Sequence, residues 1–419
     1  MPKKKDIETY DVIVIGGGAS GMMAAGRAGA LGLRVLLLEK NKRLGEKLRI
    51  TGGGRCNITN ATYDTREMLS NYGKAAPYLF SPFSQFGVED TFTFFENLGL
   101  PLVVQDRARA FPKSENASHV VEALMKYMKI GKVTVRSGLA VEQIVKGKDK
   151  IEAVVAGGIT YKAEKYILAT GGLSHPETGS TGDGFGWLKD LGHTVRKPTP
   201  SIVPIAVRES WVHALSGRAL SGIKITFYLD GKKKITKEGR VLCTHFGLSG
   251  PLILNTAKDI GEWLLGGRVT GTIDLLPTLD IGSADKKLIS LFDVHKNKTL
   301  KNVLKELVPE GTASGISLCI PSALLEKKVH SITKGERRAL VDILKALPIT
   351  VTHLLGYERA VVADGGVSLD EVDTKTMRSR LYANLYITGD LLDINRPSGG
   401  YSLQLCWTTG FVAGSNIED

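Results

Sequence analysis

A short apolar run, Tyr10–Ile15, leads directly into Gly16-Gly17-Gly18-Ala19-Ser20-Gly21, and an Ala- and Gly-rich stretch follows to about Leu31. A second apolar run, Arg34–Leu38, closes on Glu39-Lys40. Strand, glycine turn, helix and strand in this order form a βαβ unit, which implies a parallel sheet and an α/β fold. Each glycine of Gly16-x-Gly18-x-x-Gly21 has a mechanical task. The first makes the tight turn, the second lets backbone approach a pyrophosphate, and the third lets the helix pack on the strand.

The same spacing specifies a chemistry. The helix N-terminus offers free N–H groups and a partial positive charge to phosphates. Glu39 lies 18 residues beyond Gly21, where a carboxylate accepts hydrogen bonds from a ribose diol. A carboxylate suits an unphosphorylated ribose, so the choice is FAD or NAD. The C-terminus favours FAD. Ile387-Thr388-Gly389-Asp390 puts an acid at a strand end, and Gly399-Gly400-Tyr401 opens a helix. Flavoproteins of this architecture use a late Gly-Asp on the ribityl chain and a following helix N-terminus at the isoalloxazine. A simple turn role for Asp390 is the competing reading.

Glycine usage extends this picture. The chain has 48 glycines, against roughly 29 expected for its length. No Gly-X-Y period accompanies them, which excludes collagen. The spans 16–32, 45–54, 171–186 and 389–414 hold 22 of the 48, and all four are expected around one dinucleotide. The most distinctive segment is Thr51-Gly52-Gly53-Gly54-Arg55-Cys56-Asn57, where successive glycines flanked by a cation can wrap an anion or a ring edge. Ala169-Thr170-Gly171-Gly172 and Gly179–Gly184 form a second glycine-rich loop at a strand end.

Other classes are set aside by what the chain lacks. No apolar run approaches the ~18 residues of a membrane-spanning helix. Met1–Asp6 leads into a strand-like segment without a signal-peptide core. Cys56, Cys243, Cys319 and Cys406 show no paired spacing, so neither a metal site nor a disulfide framework is expected, and a cytoplasmic location fits. The net charge of +12 is uneven: residues 196–355 hold 24 Lys and Arg against 14 Asp and Glu, and the rest hold 31 against 29.

The texture changes after about Arg196. Residues 200–277 carry short alternating strands, with a hairpin signal at Asp230-Gly231, and residues 284–346 have helical periodicity. The expected division is a discontinuous nucleotide-binding domain (1–195 and 356–419), a β unit (196–280 and 347–355) and a helical insert (281–346).

Together with Phe111-Pro112, the Gly171–Gly184 loop, Thr244–Pro251, Gly365-Gly366-Val367 and Gly399–Gln404, these motifs resemble the BaiN/YhiN-like family of FAD-dependent oxidoreductases. The resemblance runs over nearly the whole chain. It implies a three-layer, Rossmann-like FAD domain of glutathione-reductase type, with an inserted β-barrel and a small helical domain. By position it assigns FAD contacts to Gly16, Gly18, Ala19, Ser20, Gly21, Glu39, Lys40, Lys47, Thr51, Gly52, Gly53, Gly54, Arg55, Cys56 and Asn57. It adds Val141 on the adenine side, Thr170, Gly171, Gly389, Asp390, Gly399, Gly400 and Tyr401. Asn395-Arg396-Pro397-Ser398 departs from the family pattern beside the implied flavin, which leaves substrate choice open.

The implied activity is transfer of hydride from NAD(P)H through FAD to an organic acceptor, such as a conjugated C=C of a steroid-like enone. No second glycine fingerprint is present, so the nicotinamide would bind transiently. Oxidation of a small amine is the alternative within the family. The catalytic candidates are Tyr401 and His175 as proton donors, and Arg396 as a partner for an anionic small-molecule substrate. Packing is the competing role for Tyr401, and a solvated or cofactor-paired cation for Arg396. Arg109 and His245 are weaker candidates, and Cys56 and Cys406 are expected to be inert thiols. RNA modification is the other class to weigh: the basic middle region suggests it, although no RNA-binding motif accompanies the charge.

Overall fold

The computed structural model describes residues 7–417, so Met1–Asp6 and Glu418–Asp419, with the reading placed on the N-terminal segment, lie outside the described residues. Two compact units divide the chain, one of residues 1–199 with 361–419 and the other of residues 200–360.

The first unit is built on a mixed nine-stranded sheet. Strand β1 (Ile7–Ile15) pairs in parallel with β2 (Val35–Glu39), register Val12 to Val35, and on its other side with Ile159–Leu168. Thr134–Ser137 and Leu385–Ile387 extend the parallel part outward. Antiparallel strands Val141–Lys146 and Ile151–Ala156 branch from Ile159–Leu168. All five residues of β2 and Val12–Ile15 of β1 are buried, as expected of parallel strands covered on both faces. The sheet therefore carries the charged end of β2, Glu39, into the interior beside the glycine turn.

Helix α1 (Ala19–Ala30) joins β1 to β2 and packs along the C-terminal helix Tyr401–Ser415. The packing is too close for side chains. A Cβ on Gly410 would lie 2.4 Å from the Ser20 carbonyl oxygen, and one on Gly414 would lie 2.5 Å from that of Ala24. On another face of α1, Gly26 meets the Tyr127 ring and Gly29 meets the Gly131 carbonyl. These four glycines, assigned above to the dinucleotide, instead let helices and backbone approach one another. Two further helices, Ala76–Gln85 and Val88–Asn97, are separated at Phe86-Gly87.

The second unit is a closed six-stranded barrel. Its order is Ile205–Val207, Gly247–Ser249, Lys232–Thr244, Ala219–Leu229, Val269–Asp274 and Leu347–Leu354. The hairpin turn Asp230-Gly231 has positive φ at both residues (49° and 78°), which matches the right-handed twist of the flanking strands. Helices Ile281–Val294, Leu300–Leu307 and Lys334–Lys345 pack on the barrel through one shared apolar cluster. It includes Ile225, Phe227 and Ile349 of the barrel, and Leu288, Leu304 and Leu340 of the helices.

Candidate functional site

A cleft of about 1220 Å³ of empty space, its open mouth included, lies in the first unit at the carboxyl ends of β1 and β2. Its floor is the glycine turn. Gly16 has φ +107°, and a Cβ there would sit 2.5 Å from the Ala169 carbonyl oxygen. A Cβ on Gly21 would lie 1.9 Å from the Gly16 carbonyl. Gly18 differs, because a Cβ there would meet nothing within 4 Å and would project into open space. No side chain caps the start of α1 at Gly18, so its first N–H groups remain available where Ala19 and Ser20 line the cleft.

Glu39 is 8% exposed and accepts from Gly17 N–H at 2.6 Å through Oε2 and from Asn41 N–H at 2.7 Å through Oε1. Each carboxylate oxygen keeps acceptor capacity for a hydroxyl. Beyond Glu39, Lys40 is engaged with Asp183 (2.7 Å) and Thr181, which ties the end of β2 to the loop before helix Asp183–Asp190. Val141, Leu139 and Ala140 continue this end of the cleft.

The other end is electrostatic. Asp390 lies between two cations, with Lys47 Nζ 3.2 Å from Oδ2 and Arg396 bonded to Oδ1. Burial opposes ionisation of Asp390, but Arg396 and Lys47 outweigh it and hold its carboxyl down at about 2. The Arg396 side chain is 1% exposed, and it also donates to the Ile394 carbonyl and to Ser402 Oγ. Ser402, Leu403 and Cys406 come from the first turns of the C-terminal helix and face the cleft. Burial pushes the Cys406 thiol up to about 12, which removes thiolate chemistry at neutral pH.

Of the residues named from sequence, the cleft brings together Gly16, Gly18, Ala19, Ser20, Glu39, Lys40, Lys47, Thr51, Val141, Thr170, Gly171 and Asp390. The others are not among its lining residues and make contacts of their own. Gly52, Gly53 and Gly54 follow Thr51 with φ of +58°, +68° and +86° and form a backbone turn. Arg55 lies over the Phe111 ring, 4.4 Å from its centroid, and pairs with Glu115 at 3.2 Å. Cys56 is fully buried, with its thiol raised to about 12. Asn57, with its amide oxygen accepting from Gly400 N–H at 2.9 Å, clamps the Gly-Gly turn. Gly400 (φ +107°) must be glycine there, since a Cβ would lie 2.3 Å from the Thr59 carbonyl carbon, while Gly399 (φ +126°) accepts from Asn60 Nδ2. Gly389 (φ +63°) donates to Thr409 Oγ1, and Gly21 is a packing position.

The three catalytic candidates are not among the lining residues and make contacts of their own. Tyr401 packs edge-on against Tyr72, with ring centroids 6.1 Å apart. His175 pairs with Glu177 at 2.7 Å. Arg396 is buried and engaged by Asp390, the Ile394 carbonyl and Ser402 Oγ. Asn41, Trp187, Ser402, Leu403 and Cys406 line the cleft without having been singled out as contacts. Ser402 and Cys406 had a usable signal, a spacing of four residues that puts both on one helix face. Among the described residues no group of three or more His, Cys, Asp or Glu is placed to hold a metal ion, and no helix is long and apolar enough to cross a membrane.

The residues present fit a dinucleotide. Thr170 Oγ1 is buried beside the cleft without a partner, the α1 N-terminus is uncapped, and the space at Gly18 is open. The family model described as the HI0933-like protein Rossmann domain matches residues 10–416. The chain belongs to this family. The HI0933-like family comprises BaiN/YhiN-type FAD-dependent oxidoreductases, and the chain is an FAD-dependent oxidoreductase with a Rossmann-like α/β fold.

Two similar HI0933-like chains span it from end to end. One is the 3-dehydro-bile acid delta(4,6)-reductase of Clostridium scindens, 29% identical over 96% of this chain and 97% of that one. Another is the ribosomal RNA dihydrouridine synthase of Escherichia coli, 28% identical over 98% of both. Among solved structures, the 3-ketosteroid-delta4-(5alpha)-dehydrogenase of Rhodococcus jostii has a TM-score of 0.55 at 13% identity, covering 100% of this chain and 98% of that one. That likeness establishes the fold.

Proposed function

We propose that this flavoenzyme draws hydride from NAD(P)H and delivers it to a C=C bond conjugated with a carbonyl. The observation that carries the reading is the end-to-end match to two relatives whose names describe one bond change. A delta(4,6)-reductase acting on a 3-dehydro bile acid saturates C=C conjugated with a ketone. Dihydrouridine is uridine saturated at a C=C conjugated with a ring carbonyl.

FAD, when bound, supplies a ring that accepts and releases hydride. The chain's residues position it. N–H groups at Gly18, Ala19 and Ser20 would hold the pyrophosphate, Glu39 would accept from the adenosine ribose, and Val141 with Leu139 would border the adenine. Thr170 gains a partner for its hydroxyl. Lys47 and Arg396 keep Asp390 ionised, so that it could accept from ribityl hydroxyls, and Ser402 and Leu403 would border the ring at the helix N-terminus. A side chain or water supplies the completing proton. We assign the FAD unit to the glutathione-reductase type, with the barrel and its helices as the insertion.

Anaerobic stopped-flow reduction of the bound flavin by NADH and NADPH tests the reading. Bleaching by at least one, followed by reoxidation with an enone, is the expected result. No bleaching by either overturns it.

A second reading assigns the conjugated bond to a uracil ring within RNA. Two observations favour it, the name of the Escherichia coli relative and the charge of residues 200–360, with 23 Lys and Arg against 15 Asp and Glu. Formation of dihydrouridine in ribosomal RNA by the reduced holoenzyme tests this reading, and an unchanged uridine content overturns it.

A further inference from the structure

Resting on the RNA reading, we infer that the barrel hairpin Ala219–Leu229 and Lys232–Thr244 is a docking arm for the phosphate backbone of RNA. Lys232, Lys233, Lys234 and Lys237 are all exposed within six residues of its second strand. Three of them have uncharged cross-strand partners: Leu229 faces Lys232, Tyr228 faces Lys233 and Ile225 faces Lys237. None of the four lysine side chains makes an ion pair or a hydrogen bond among the described residues. The exposed Arg268 adds a further cation at the tip, its backbone N–H and carbonyl both bonded to Asp230.

Some cations elsewhere in the unit are compensated. Arg337 pairs with Asp285 at 2.6 Å, Lys345 with Asp274 at 2.9 Å and Lys327 with Glu336 at 2.5 Å. Other exposed lysines of the unit, such as Lys287, Lys296 and Lys328, also make no ion pair among the described residues, so what sets the hairpin apart is density: four such lysines within six residues of one strand. Like charges held together repel, and the natural relief is an external polyanion that releases its counterions on binding. A lipid surface fits less well, because the hairpin's large apolar side chains Leu220, Ile223, Ile225, Phe227 and Val241 turn inward and are buried. Lysine is a flexible point charge, suited to phosphate contacts that carry no sequence information.

Lysines also discourage strand addition at an open edge, and this strand is covered by Gly247–Ser249 only at Leu242–Thr244. The two roles separate by experiment. Bulk ribosomal RNA is titrated against the FAD-loaded enzyme, its quadruple variant K232Q/K233Q/K234Q/K237Q, and the charge-keeping variant with Arg at the same four positions. At 100 mM KCl the Gln variant should bind at least tenfold more weakly. Its slope of log affinity against log salt should fall by about one per lysine removed. The Arg variant should bind as the unsubstituted enzyme does, and flavin reduction by NAD(P)H should be unchanged in all three.

Equal binding by the Gln variant overturns the inference. So does absence of binding at low salt, or a preference for phosphatidylserine vesicles over RNA. Aggregation of the Gln variant with unchanged affinity of its soluble fraction assigns the lysines to edge protection and overturns it too. Dihydrouridine assay of the same samples separates this inference from the reading beneath it. Binding through the hairpin without dihydrouridine removes the substrate reading and leaves the arm. Dihydrouridine formed equally well by the Gln variant removes the arm and leaves the reading.

Discussion

Lys47 Nζ stands 3.2 Å from Asp390 Oδ2, so the carboxylate at the end of the last strand is held from the cleft side as well as from behind. Arg396 supplies the rear partner from a side chain 1% exposed. Two cations around one anion leave a net positive charge beside the cleft.

Removing Arg396 should be costly, because Asp390 is then a buried charge with a single partner. Breaking a buried pair by deleting one member costs about 3–5 kcal/mol. The variant R396M should unfold at lower urea by that order, and it should purify with less FAD. Urea titration with parallel flavin quantitation checks both outcomes. Unchanged stability together with a full FAD complement would contradict the assignment of Arg396 as the positioning residue for Asp390.

Acid should have a related effect. The Asp390 carboxyl is held at about 2, below the ordinary 3.8 of the unfolded chain. A depressed acid contributes stability that is fully present above pH 4 and is lost as pH falls from about 4 to about 2. The contribution is about 2 kcal/mol. Denaturant unfolding across that window should show the loss, and D390N should flatten it.

The second and third glycines of the motif should separate folding from binding. G21A forces a Cβ to within 1.9 Å of the Gly16 carbonyl oxygen, so α1 must move off β1 and the unit should be strongly destabilised. G18A meets nothing within 4 Å, and it should change stability by no more than about 0.5 kcal/mol. Its methyl group would occupy the space assigned to the pyrophosphate, so FAD affinity should fall tenfold or more. Thermal unfolding of the apoprotein and fluorescence titration with FAD read the two effects independently. Equal FAD affinity in G18A and the unsubstituted protein would remove the pyrophosphate assignment.

This separation also marks what the sequence could reveal. The βαβ unit and Glu39 are legible because their requirements are local: a turn with φ +107° at Gly16 and a carboxylate one strand away. Arg55 and Asn57 are not legible in the same way. Whether they face the cleft depends on Phe111, Glu115 and Gly400, which lie tens or hundreds of residues distant. Arg396 looks like a substrate cation until Asp390 and Ser402 are seen to hold it from both sides. Gly26, Gly29, Gly410 and Gly414 have helical spacing that signals close packing. Composition alone merged them with the glycines of the cleft.

His193 offers a last test, far from the cleft chemistry. Its ring bridges Glu371 (Nδ1 to Oε2, 2.9 Å) and Ser379 (Nε2 to Oγ, 3.0 Å), and its side chain is fully buried. Burial lowers its pKa below the ordinary 6.5, and the hydrogen bond and charge of Glu371 only partly offset this. The folded state therefore prefers the neutral ring. A base with a depressed folded value contributes stability that is present above pH 6.5 and is lost as pH falls below it. H193Q keeps a polar side chain but cannot titrate, so its stability should not share that fall. Paired urea titrations at pH 7.5 and pH 5.0 measure the difference. If both proteins lose the same stability between those values, the acid sensitivity arises elsewhere and the neutral-ring account of His193 fails.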